Sequence, residues 1–98
     1  MSTATPRERL TASACHCEQD LRAWLDEWES TGRFPAREVC ADPLDWLTAR
    51  LRTAAIVLRQ APHARVRPDV LAALRAQVRR ARGALDGVAQ ASRLLRDP

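Results

Sequence analysis

The chain has no lysine, no asparagine and no tyrosine, and a single isoleucine and a single phenylalanine among its 98 residues. All 16 basic residues are arginine. Arginine and alanine dominate where GC-rich codons do, so the bias points to a GC-rich bacterial or phage genome. Arginine in place of lysine is therefore not, on its own, evidence of selection for phosphate binding. The three cysteines form an odd set, which argues against a disulfide framework and for a reducing, cytoplasmic setting. The longest strongly apolar run, residues 54–58, is far too short to span a bilayer. MSTATPRERL lacks the apolar segment of a secretory signal, so no membrane partner is expected. No Ser-His-Asp order, glycine-rich phosphate loop or HExxH is present. Catalysis, a cofactor and a small-molecule substrate are accordingly not expected.

What is present is helical periodicity, in three stretches. Leu10, Ala14, Cys17, Leu21, Trp24 and Trp28 step by 4, 3, 4, 3, 4. Leu44, Leu47, Leu51, Ala54 and Leu58 step by 3, 4, 3, 4. Leu71, Leu74, Val78, Ala81, Leu85, Val88, Ser92 and Leu95 continue the same alternation with one polar exception. Each set lays one apolar stripe along a helix, and three stripes can bury one another. A chain of this length suits one domain with a core that folds without metal or disulfides. The expected fold is all-α, an antiparallel three-helix bundle spanning residues 1–98.

Boundary signals place the helices at about 6–30, 43–61 and 68–96. Thr5-Pro6-Arg7-Glu8 supplies an N-cap hydroxyl, proline at N1 and glutamate at N3. Gly32 is positioned to take the left-handed conformation that ends helices. Asp42-Pro43-Leu44-Asp45 repeats the opening pattern for the second helix, and Pro62 should stop it at Ala61. In the connector, Phe34, Val39 and Cys40 are expected to tuck over the bundle end, with a helical turn available at 36–39. The third helix is long, and Gly83 and Gly87 each cost about 1 kcal/mol relative to alanine. They leave three readings: a close approach by a neighbouring helix, a kink, or a split.

Charge divides the chain. Residues 1–46 hold five arginines and nine acids, whereas residues 47–98 hold eleven arginines and three acids. Either the acidic first helix packs on the basic third, or the second half meets an acidic partner outside the fold. Arg75, Arg79 and Arg82 lie on one helical face with Arg80 beside them, and Arg52 and Arg59 can extend the patch. Such a stripe is the electrostatic footprint of nucleic-acid backbone binding. It equally suits pairing with Glu18, Asp26 and Glu29. His63, Arg65 and Arg67 form a basic, proline-bracketed loop before the third helix, where free N–H groups favour anions.

Cys15-His16-Cys17, with Cys40 and His63, contains the residue types of a zinc site. Residues i and i+2 on a helix diverge, however, and Cys17 falls on the apolar stripe, where a buried thiol is ordinary. No metal is expected. Cys15 is the better candidate for an exposed, redox-sensitive thiol. Trp46, Ile56 and Leu25 lie off the strict stripes and suggest a second apolar face for a protein contact, since Trp and Arg dominate interface hot spots.

The chain is similar to small helical-hairpin secretion substrates in length and helicity only, lacking their Trp-x-Gly turn. The four-cysteine iron–sulfur regulators share its size, but it has no CxxC. The expected function is a non-catalytic protein–protein interaction module acting through a helix face, self-association included. The alternative is a nucleic-acid accessory protein gripping phosphates through the arginine stripe.

Overall fold

The computed structural model describes residues 3–32 and 43–96. It contains three α-helices, α1 (Pro6–Thr31), α2 (Pro43–Ala64) and α3 (Pro68–Arg96). Each packs against both others, and α1 shares the larger interfaces. Phe34, Val39, Cys40, the expected turn at 36–39 and the Asp42 cap lie outside the described residues. The same holds for the side chains of Leu44, Val88, Ser92 and Leu95.

The ends of α1 follow its local chemistry. Thr5 is extended (φ −69°, ψ 159°), and the Glu8 amide donates to its Oγ1 at 3.1 Å, satisfying one of the orphan donors of the first turn. At the other end Gly32 is left-handed (φ 69°). Its N–H donates to the Trp28 carbonyl at 2.8 Å, the single closing bond of an αL cap.

The end of α2 corrects the expectation. The helix passes through Pro62 and stops at Ala64, three residues beyond the predicted Ala61. Proline there removes one hydrogen bond, but the following turn is held from outside. Arg65 takes the left-handed conformation (φ 55°), and the Val66 amide donates back to Ala61 at 3.4 Å. That is the six-to-one bond of a Schellman motif. Ala61 and Val66 also share an apolar cluster with Leu71, the hydrophobic contact that accompanies such a cap. Tertiary burial overrides the local breaker.

Burial follows the stripes, with additions. Ala14, Cys17, Leu21 and Trp24 of α1, Leu47 and Ala54 of α2, and Leu71, Leu74, Val78 and Ala81 of α3 are buried. Leu25, Trp46, Val57, Ala61 and Ala84 join them, while Leu51 and Leu58 pack only partly against the core. Two clusters result, joined through Leu58 and Val70, which touch both. Trp24 is the centre of the larger one. Its ring lies 6.2 Å from Trp46, nearly parallel, and 6.2 Å from Trp28, tilted, both within the range of favourable aromatic pairs.

α3 runs unbroken past both internal glycines, so it is not split. A Cβ built on Gly83 or Gly87 meets nothing within 4 Å. No neighbouring helix approaches there, and these glycines are not packing devices. Left-handed Arg65 carries a steric penalty that glycine lacks. Arg65→Gly should therefore stabilise the fold by about 1 kcal/mol, and Gly83→Ala by about 0.5–1 kcal/mol. Urea unfolding followed by circular dichroism measures both, and a loss of stability in Arg65→Gly would refute the cap assignment.

Candidate functional site

The acidic first helix takes up part of the arginine surplus. Arg80 Nη2 lies 2.9 Å from Asp26 Oδ1 and 3.0 Å from Glu29 Oε2. Its Nη1 donates to Gln77 Oε1 at 2.7 Å, and Gln77 Nε2 reaches Glu18 Oε1 at 3.4 Å. Arg22 meets the same Glu18 oxygen at 3.5 Å. The hydrogen bond to Asp26 is the largest influence raising the Arg80 pKa above its ordinary value, with Glu29 adding to it and partial burial opposing it. Arg80 thus belongs to the α1–α3 seam and leaves the outward stripe.

A second pairing closes the α1–α2 seam, and sequence reasoning missed it. The Arg50 guanidinium lies 5.3 Å from the Trp46 ring centroid and its Nε 3.8 Å from Asp20 Oδ2. His16 Nε2 approaches that same oxygen at 3.6 Å. The available signal was the i, i+4 spacing of Trp46 and Arg50, which sets a cation beside an aromatic face on one helix. Trp46 and Leu25 are themselves core residues, with Leu25 fully buried. Their assignment to an exposed interface is corrected: the apolar stripe of each helix is wider than a strict 3–4 ladder. Ile56 stands apart, 52% exposed.

The remaining arginines divide by place. Arg67 is tied to Asp69 by two bonds, Nε to Oδ1 at 3.1 Å and Nη2 to Oδ2 at 2.7 Å. The carboxylate of Asp69 therefore occupies the region where the loop was expected to hold an anion. His63 and Arg65 are exposed at the end of α2. Arg52, Arg59, Arg75, Arg79 and Arg82 are all exposed, and none forms an ion pair with another described residue.

Helical phase shows where these five point. On α2, Trp46 and Arg50 mark the flank turned to α1, and Arg52 and Arg59 lie on the opposite flank of the Leu47–Ala54–Ala61 stripe. On α3, Gln77 and Arg80 mark the flank turned to α1. Arg75, Arg79 and Arg82 lie across the Leu74–Val78–Ala81 stripe from them. Both sets face away from α1, along the outer side of the α2–α3 seam. Exposed Asp86 is the one carboxylate on that α3 flank among the described residues. Ile56 lies between Arg52 and Arg59 on α2, one turn from each.

Cys15 and Cys17 do not converge. Cys17 is 3% exposed in the core, whereas Cys15 is half-buried in a surface hollow with Glu18, Gln19, Asp69, Val70 and Ala73. Among the described residues no group of three or more His, Cys, Asp or Glu side chains is placed to hold a metal. Cys40 lies outside them. Also among the described residues, no helix is long and apolar enough to cross a membrane. No protein-family model, curated protein or solved structure matches the chain.

Burial pushes the Cys17 thiol pKa up, opposed by Arg50 and aided by Asp20. A folded-state value above the unfolded one favours folding below the unfolded thiol's pKa, and this contribution is lost as pH rises through the folded value. Under mildly alkaline conditions iodoacetamide should modify Cys15 in the folded protein and Cys17 only after denaturation. Tandem mass spectrometry locates the label. Equal labelling of both in the folded state would contradict the burial of Cys17.

Proposed function

We propose that this chain is a non-catalytic interaction module, an adaptor, accessory subunit or small regulator, that binds an anionic partner through the outer face of α2 and α3. One observation carries the reading. Arg52, Arg59, Arg75, Arg79 and Arg82 stand exposed together without carboxylate partners among the described residues, although the acids of α1 are near enough to claim Arg50 and Arg80. Like charges held side by side on packed helices repel, so the face destabilises the isolated bundle slightly and gains most from an external anion.

The underlying scaffold is a single domain of antiparallel neighbours. Its support is the order of the cross-helix contacts. Trp24 meets Trp46 while Asp20 meets Arg50, so advancing along α2 retreats along α1. Glu18 meets Gln77 while Asp26 meets Arg80, so α1 and α3 advance together. The reading places the module in the cytoplasm, in keeping with its free Cys15 and Cys17. Ile56 supplies an apolar contact within the basic face.

Immobilised heparin serves as a generic polyanion. The triple variant Arg75→Ala/Arg79→Ala/Arg82→Ala should elute at clearly lower salt than the native chain. A charge-matched control, Arg7→Ala/Arg9→Ala/Arg22→Ala on α1, should shift much less. Circular dichroism checks that both keep their helix content. Equal shifts would show that net charge alone drives retention, and the proposed face would be abandoned.

A further inference from the structure

We infer that the anionic partner is a nucleic-acid duplex, held by its phosphate backbone without base readout. This rests on the anion-binding face proposed above and names what it fits. Arg52 and Arg59 are separated by seven residues, as are Arg75 and Arg82, which puts each pair about 10 Å apart along its helix axis. Duplex DNA carries one charge per about 3.4 Å of axis on each strand, so each row runs beside about three phosphates. The rows sit on neighbouring packed helices, whose axes lie about 8–10 Å apart. Side by side they make one basic face broad enough to meet several phosphates of a duplex backbone at once.

The other chemistry of the face excludes closer competitors. Single-strand binders stack bases on exposed aromatic rings, and this face has none among the described residues. Trp24 and Trp46 are buried, and Trp28 packs against the same core. Adenine-edge readers carry asparagine or glutamine beside their arginines. The chain has no asparagine, Gln77 is engaged with Glu18 and Arg80, and exposed Gln60 is the one glutamine next in sequence to an arginine of this face. An acidic protein would need apolar anchors as well as charge, and Ile56 is the one exposed large hydrophobic side chain among the described residues. A second copy offers fewer acids than a polyanion, because Asp20, Asp26 and Glu29 are engaged with Arg50 and Arg80, which leaves carboxylates such as Glu8 and Glu27 scattered along α1.

The test is fluorescence anisotropy of the 98-residue chain with a labelled duplex of about 20 base pairs, over a salt series. Five neutralised phosphates give a slope of log Kobs against log salt of about −4.5. Affinity should then fall several-hundred-fold between about 50 and 200 mM salt, with little dependence on base sequence. Arg79→Ala/Arg82→Ala should flatten the slope to about −2.7, an approximately 40-fold fall over the same interval. Asp86→Asn, a surface change that leaves the core untouched, should tighten binding. Stronger binding to the matching single strand overturns the duplex assignment, as does an unchanged slope in the double variant. Polyglutamate binding as tightly as the duplex also overturns it and points to an acidic protein, while the anion-binding face stands. Absence of binding to duplex, polyglutamate and heparin alike overturns both.

Discussion

Trp24 lies fully buried on α1 with its indole stacked on Trp46 and tilted against Trp28, and the arrangement of α1 and α2 hangs on that contact. A stacked pair sets rotation and axial position together, because offset rings lose their overlap when either helix slides or turns. Once Trp46 is seated, the next turn of α2 carries Arg50 over the same ring and toward Asp20. The ion pair is thus a consequence of the aromatic contact. It is partly exposed and stabilises the fold little, whereas truncating a buried tryptophan typically costs about 3–5 kcal/mol. Packing sets the geometry, and electrostatics follows it.

The same order of causes explains the charge distribution. α1 has an apolar stripe flanked by carboxylates on both sides, so docking it between α2 and α3 brings acids to two seams. Asp20 serves one, and Glu18, Asp26 and Glu29 serve the other. Only arginines on the flanks turned to α1 can reach these acids. Arg52, Arg59, Arg75, Arg79 and Arg82 are carried to the far side by helical phase and have no counter-charge from α1 among the described residues. The split in charge along the sequence therefore becomes a split between the faces of a bundle, and neutralisation within the fold is partial.

Proline and left-handed residues show how local rules yield to packing. Pro6 and Pro68 stand where a helix begins and needs no donor. Pro62 lies inside the last turns of α2, where local rules predict termination. The lost hydrogen bond is outweighed because Ala61, Val66 and Leu71 bury one another beyond it. The turn is then closed by Arg65 in a conformation glycine would adopt more cheaply. Gly83 and Gly87 illustrate the converse. Their spacing suggests a packing groove, yet open space surrounds both.

Much of the fold was legible in the residue pattern. Periodicity determined three helices and most of their buried positions, because a 3.6-residue repeat converts spacing directly into a face. Thr5, Pro6, Pro68 and Gly32 determined helix ends, because caps act through covalent geometry and neighbouring hydrogen bonds. Which arginines stay exposed was legible only in outline. Arg75, Arg79, Arg80 and Arg82 look alike in sequence, and the position of α1 alone separates Arg80 from the others. Tertiary structure likewise decided that Leu25 and Trp46 are core and that α2 continues past Pro62. These outcomes depend on which helix lies against which flank, a relation between residues far apart in the chain that no local spacing encodes.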